Sequence, residues 1–426
     1  MSVNDIKKPF LSLVSICGEY SYDNRDLIIQ YLGTTEKYMA NMISELVREG
    51  IVKTVYKDKL KSYRLTGRGK KLQKEGNRIR FEKYLNGTVD TNKVSSDIKR
   101  RKRLITLSEV ITLLYCADVL IFDDEKPAVF PLNFEEDSFP GALAPAPLDD
   151  IENVSDEQRL GSGILSSSAS SPSASFVPPI IERPVYISTR EYKRAGKWKG
   201  SGEYGEHESK VIKGSRVSGF LLTKGYVFSI YNTRDSIITW APDVEIKWKA
   251  ELENGLCNSL LKEQYHGKKA GGILIGKGLE TLEIYLTERM TLESTVRFFS
   301  GLYKPLHYIT HDKYGVTQLK FLTQPELYDD LKQRVLGRMK PVDKNYPIDC
   351  DAIMPDGRPA LLVVMPDIPR LIRFMGGLKE QDKAGVVLGM DYQQEVLSRL
   401  LGDHVEFKPV EYERIVSRYF SKEQKE

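Results

Sequence analysis

Two groups of side chains in this chain have the types and spacing for chemistry, one for a metal and one for a polyanion. The first is the run DCDAIMPDGRPALLVVM, Asp349 to Met365, in which the carboxylates of Asp349 and Asp351 precede an apolar stretch beginning at Ala360. Metal-assisted hydrolysis of a phosphodiester needs such acids plus a further acid and a lysine on the next strand, because oxygen donors hold the cation and the attacking water must be activated. Leu362, Val363, Val364 and Met365 stand where those groups belong. Aliphatic side chains offer a hard cation nothing. Asp356-Gly357 then reads as a hairpin turn, and Asp349 and Asp351 as surface or capping acids. The expectation is no catalytic residue, no metal ligand and no cofactor. A metal-dependent nuclease stays open as the alternative, with Lys379 or Glu380 supplying the missing groups from another element.

The second group is cationic. Lys57, Lys59 and Lys61 sit at and beside a turn between two strand-like runs, Ile51–Tyr56 and Lys61–Thr66. Before them, Thr34 and Thr35 can cap a helix whose Met39, Met42, Ile43, Leu46 and Val47 recur at helical spacing, and Gly50 supplies a left-handed stop. That spacing leaves Glu36, Lys37, Tyr38, Asn41 and Ser44 on the exposed face. Upstream, Phe10, Leu11, Leu13, Val14 and Cys17 mark one helix, and Asp23 or Asn24 caps a second bearing Leu27, Ile28, Tyr31 and Leu32. Downstream, a basic helix begins near Gly67. Three helices followed by a lysine-tipped hairpin predict a winged helix-turn-helix. A helix of this kind fits the major groove with its first turns towards the base edges, while point charges on the wing reach phosphates. The candidate DNA-binding residues are Thr35, Lys37, Tyr38, Asn41, Ser44, Lys57, Lys59, Lys61, Arg64 and Arg68.

Charge supports that placement. Residues 1–110 hold 23 Lys and Arg against 13 Asp and Glu, whereas residues 111–180 hold 12 acids against two bases, so the whole-chain net charge of +4 conceals a strong asymmetry. A basic footprint on a small domain is what phosphate binding requires. The run Lys99-Arg100-Arg101-Lys102-Arg103 has two readings, an extra phosphate-binding arm or the solvated start of a helix carrying Leu104 to Leu114.

From Asp123 the composition turns acidic, then proline-rich and serine-rich, with GALAPAPLDD and SGILSSSASSPSASFVPP as low-complexity parts. This reads as a linker. Beyond Pro184, strands are expected at Val185–Ser188, at two runs within Ser218–Thr233 joined at Thr223-Lys224-Gly225, and at Gly271–Ile275, Thr281–Leu286, His307–Thr310 and Leu319–Leu322. Further strands are expected at Ala360–Met365, Gly385–Leu388 and Val405–Lys408, and helices at Ala250–Tyr265, Thr291–Leu302, Glu326–Leu336, Tyr392–Leu401 and Glu411–Tyr419. Alternation of this kind predicts an α/β domain. Arg190 to Lys213 interleaves Lys193, Arg194, Lys197, Lys199 and Lys210 with Tyr192, Trp198 and Tyr204. It reads either as a single-strand-binding loop or as a surface loop with its aromatics folded inward.

Other patterns are weak. His307 and His311 lack a metalloprotease context, and Gly272, Gly276 and Gly278 lack a following Gly-Lys-Ser/Thr. Cys17, Cys116, Cys257 and Cys350 are too scattered for a zinc or disulfide framework. Reduced thiols and the lack of an apolar run near 20 residues lead to the expectation of a cytoplasmic protein without a membrane partner.

The winged helix carrying TGRGKKL after its wing, the irregular connection, and a carboxyl-terminal α/β domain whose Asp-x-Asp and Pro-Asp-Gly hairpin resembles a degenerate restriction-endonuclease-like core are together similar to the replication-relaxation proteins of plasmids and integrative mobile elements. The resemblance implies sequence-specific double-stranded DNA binding in replication, transfer or transcriptional control of a mobile element, with other replication or transfer proteins as partners. The fold class expected is an α+β winged helix at 1–85, a basic helical connector at 86–122, an acidic linker at 123–180 and an α/β domain at 181–426. One winged helix gains affinity by dimerising, so a homodimer built on the carboxyl domain is expected.

Overall fold

The computed structural model describes residues 3–85, 97–131, 176–199, 206–210, 212–234, 241–287 and 301–420. Expectations for the low-complexity segment from 132, for Asn92–Ser96, for Tyr204 and for most of the helix at Thr291–Leu302 fall outside these residues. The chain is mixed α/β with several sheets and divides into two compact units. The first comprises Met1–Arg25, Thr34–Ser108 and Phe122–Ile180, and the second Asp26–Gly33, Glu109–Ile121 and Ile181–Glu426. One of the breaks between them falls inside the helix Ile98–Cys116, at Ser108, and the others at Arg25, Gly33, Ile121 and Ile180. No helix among the described residues is long and apolar enough to cross a membrane.

In the first unit, helix α1 (Val3–Cys17) places Phe10, Leu13 and Val14 in the core with Met39, Met42, Ile43 and Leu46 from a helix at Glu36–Arg48. Strand β1 (Tyr20–Ser21) pairs antiparallel with β3 (Leu60–Leu65), which pairs with β2 (Val52–Lys57), in the order β1-β3-β2. Phe10 meets the rings of Tyr20 and Tyr63 edge-on at 5.7 Å in each case, closing helix against sheet. Asp23 and Asn24, expected as caps, lie in a single turn, Tyr22–Asn24, that leads into the helix Arg25–Tyr31. Ser21 accepts the Asp23 N–H, and Asn24 is buried, its amide donating to the Ser108 carbonyl. Val47 is also outside the core, 41% exposed.

The second unit holds a five-stranded sheet in the order 306–310, 271–276, 227–234, 219–222, 185–187. Its first three strands are parallel and the last two antiparallel. A four-stranded sheet runs 352–353, 359–362, 385–390, 405–410, with an antiparallel hairpin followed by parallel pairing. The hairpin turns at Asp356-Gly357, as expected, with Gly357 at φ +90°.

Two expected strands are helices. Leu279–Thr287 replaces the strand at Thr281–Leu286, and Leu319–Leu322 lies within Lys313–Thr323, whose N-terminus Asp312 caps by accepting the Gly315 N–H at 2.9 Å. Short apolar runs carry no period of their own, and the cap decided the second case. The helix Ile368–Glu380 went unread because Gly376-Gly377 suggests a loop. Pro369 starts it, and Ile368, Leu371, Phe374 and Leu378 are buried along it. The strand expected through Met365 ends at Leu362. Within Arg190–Lys213, the described residues form a short helix at Thr189–Arg194 and a paired hairpin of Lys197–Lys199 with Glu206–Glu208. Ser188 and Glu191 form a capping box on a short helix, and Tyr192 is buried with its hydroxyl on Glu251 at 2.9 Å.

Candidate nucleic-acid interface

The helix Glu36–Arg48 starts where Thr35 accepts the Tyr38 N–H at 3.2 Å and stops at Gly50, φ +67°, a conformation open to glycine at no steric cost. Its capping and burial leave Lys37, Asn41 and Ser44 exposed and Tyr38 half-buried along one side. Thr35 is exposed too, but its hydroxyl is occupied by the cap, and the Ser44 hydroxyl donates back to the Ala40 carbonyl at 2.8 Å. Both side chains therefore have less left to offer a base edge than Lys37 and Asn41. Arg25 lies 3.7 Å from Glu36 at the helix start.

The hairpin turn is Asp58-Lys59, with φ of 56° and 60°. Two consecutive positive φ values define the tight turn that matches the twist of paired strands. The turn throws Lys57 and Lys59 into solvent, and Lys61 lies exposed on the returning strand with its ammonium 3.7 Å above the Tyr22 ring, itself stacked on Tyr63. Lys53 and Tyr56 stand exposed on the neighbouring edge strand, Tyr56 at 73%. Neither was singled out from the sequence. The signal was the edge position of a six-residue strand, legible only once pairing is known. Among the described residues, Lys37, Lys53, Lys57, Lys59 and Arg68 enter no ion pair.

TGRGKKL is explained by packing. Thr66 caps the helix Gly67–Gly76 by accepting the Gly69 N–H at 3.1 Å, and a Cβ on Gly69 would stand 2.2 Å from the Ile51 carbonyl oxygen. Arg68, on this first turn, is exposed.

Arg64 is the correction. Its side chain is 1% exposed and its guanidinium is bonded to Glu19, which also takes Nε and Nη2 of Arg101 at 2.9 and 2.7 Å and the Ser62 hydroxyl at 2.7 Å. Arg64 cannot reach DNA from there. Burial alone would raise the Glu19 carboxyl, but the bonds from Arg101, Arg64 and Ser62 outweigh it and hold it below the usual carboxylate range. The basic run at 99–103 is divided by the same contact. Lys99, Lys102 and Arg103 are exposed at the start of the helix Ile98–Cys116, whereas Arg101 is buried.

Asp351 is not the surface or capping acid expected, whereas Asp349 stays partly exposed, its side chain at 34%. The Asp351 side chain is 1% exposed and receives Lys332 Nζ at 2.5 Å, Arg370 Nη2 and Nη1 at 2.9 and 3.1 Å, and the Leu362 N–H at 2.9 Å. Asp349 takes Arg370 at 3.2 Å and Arg373 at 3.0 Å. Burial raises the Asp351 carboxyl, and Arg370, Lys332 and the Leu362 amide more than reverse it, so it is held low and anionic. Both its oxygens are engaged by protein cations. His307 is buried against Phe228, where burial keeps the imidazole below its ordinary range. The described residues contain no group of three His, Cys, Asp or Glu side chains set to hold a metal ion.

Neither a known family model, nor a curated protein, nor a solved structure matches this chain.

Proposed function

We propose that residues 1–85 form a winged helix-turn-helix that binds duplex DNA, with Lys37, Tyr38 and Asn41 in the major groove and Lys57, Lys59 and Lys61 on flanking phosphates. The observation that carries the reading is the sorting of its cations. Arg64 and Arg101 are buried on one carboxylate, while the lysines of the hairpin and the capped helix stand in solvent without an acid partner among the described residues. Unneutralised cations beside an exposed helix start provide both halves of DNA recognition, a sequence-blind backbone grip and a side able to read bases. The resemblance to replication-relaxation proteins points the same way, to replication, transfer or transcriptional control of a mobile element.

The second unit, in this reading, is non-catalytic and supplies self-association, which brings two DNA-binding units onto paired half-sites. The competing nuclease would need carboxylates open to a cation, and Asp349 and Asp351 are already engaged by Arg370, Arg373 and Lys332.

The test is binding of the full-length chain to a labelled random-sequence duplex at low salt. The expected result is a Kd of roughly 10⁻⁶ M or tighter at 50 mM salt, weakening steeply as salt rises. No measurable affinity for any duplex would overturn the reading. Selection of bound fragments from genomic DNA then supplies the target sequence.

A further inference from the structure

We infer that Arg101 is the positioning residue of the wing, the side chain that fixes where the turn bearing Lys57 and Lys59 stands. The helix containing it begins at Ile98, with Asp97 accepting the N–H groups of Lys99 and Arg100 at 2.9 and 3.3 Å. This start sets the helical phase that turns Arg101 inward while Lys99, Lys102 and Arg103 face solvent. The guanidinium is a planar fork with donors on more than one edge, and each edge is used. Nε and Nη2 bind Glu19, and Nη1 donates to the Lys57 carbonyl at 2.9 Å and lies 3.4 Å from the Asp58 carboxylate.

The turn needs such a hold. The short strand β1 pairs with the hairpin only at Ser62 and Tyr63, so residues 56–61 project past the three-stranded part of the sheet. Beyond that point the hairpin is tied down by the Lys61–Tyr22 contact on one strand and by Arg101 at the turn. A buried cation is costly unless its hydrogen bonds are satisfied. Here the bonds satisfying it join Glu19, in the core, to the backbone of the turn. Arg101, from a segment outside the expected 1–85 domain, is thereby an extension of the proposed DNA-binding apparatus.

The consequence for DNA rests on the function proposed above, so the test has one arm without DNA. Arg101→Lys keeps a cation beside Glu19 but replaces the fork with a single ammonium that cannot bind Glu19 and the turn carbonyl at once. In limited trypsinolysis of the full-length chain, cleavage after Lys57 and Lys59 should accelerate on the order of tenfold, the equivalent of one lost charge-assisted hydrogen bond. In duplex binding, Arg101→Lys should flatten the salt dependence as far as the double substitution Lys57→Gln, Lys59→Gln does, and combining them should add little, because both act on the contacts made by the turn. If Arg101→Lys melts far below the wild type, Asp58→Asn, which keeps a residue tolerant of positive φ and removes only the turn carboxylate, must show the faster cleavage at smaller amplitude. Unchanged cleavage at the turn overturns the inference. So does wild-type binding that Arg101→Lys leaves intact while the Lys57→Gln, Lys59→Gln double weakens it. A wild type that binds no duplex overturns the proposed function, and the cleavage arm still decides whether Arg101 holds the turn.

Discussion

The hairpin at 52–65 and the cluster around Asp351 are both rich in cations, and they use them in opposite ways. At Asp351, Lys332 and Arg370 converge on one carboxylate, and Arg370 and Arg373 share Asp349. On the hairpin, Lys57 and Lys59 meet no acid among the described residues and stand exposed, while the buried Arg64 and Arg101 are matched by Glu19. Counting charge does not separate the two regions, but pairing does. A cation already bonded to a carboxylate holds the fold, and one left in water is free to meet a phosphate.

The sharpest way to break this contrast is at its most buried point. Glu19→Gln removes the counter-charge of two side chains that are each 1% exposed, and the full-length chain should lose about 3–5 kcal/mol in the unfolding transition of its first unit, read by denaturant titration. A loss under about 1 kcal/mol would mean the arginines do not depend on it.

Asp351→Asn should cost less, about 2 kcal/mol, because Lys332 and Arg370 are 40% and 26% exposed and regain water when the carboxylate goes. The same measurement gives the sign for pH. Asp351 and Glu19 titrate lower in the fold than in the unfolded chain, so their contribution is complete above the unfolded carboxylate range near pH 4 and is lost as pH falls through the lower folded values. Stability should therefore fall steeply below about pH 4, and Asp351→Asn should make that fall shallower. An equally steep fall in the variant would remove Asp351 from the cause.

Under the proposed function, Asn41→Ala acts on recognition alone. Its side chain is exposed, so stability should change by no more than about 0.5 kcal/mol, while discrimination between the selected site and random duplex should drop by about 1–3 kcal/mol in competition binding. Uniform weakening on all sequences would place Asn41 on the backbone instead.

Local patterns carried most of the N-terminal reading. The cap at Thr35, the stop at Gly50 and the buried set Met39, Met42, Ile43 and Leu46 all lie within one helix and its ends, where spacing determines burial. Arg64 was misassigned because its partner Glu19 lies 45 residues away, and no local feature distinguishes a buried arginine from an exposed one on a basic strand. The role of Arg101 was hidden for the same reason, inside a run of five cations of which this one turns inward. In the second unit, the fully apolar strands Gly271–Gly276 and Gly385–Met390 were legible, whereas Leu319–Leu322 was mistaken for a strand because the cap that makes it helical, Asp312, precedes it by seven positions.

The central claim is that the wing lysines are cations reserved for phosphate. It is tested most directly by the salt dependence of duplex binding for the full-length wild type and for the triple substitution Lys57→Gln, Lys59→Gln, Lys61→Gln. The account predicts an unchanged melting transition and a plot of log K against log salt shallower by about 2–3, close to one counterion per lysine removed. Parallel plots with equal affinities would contradict it.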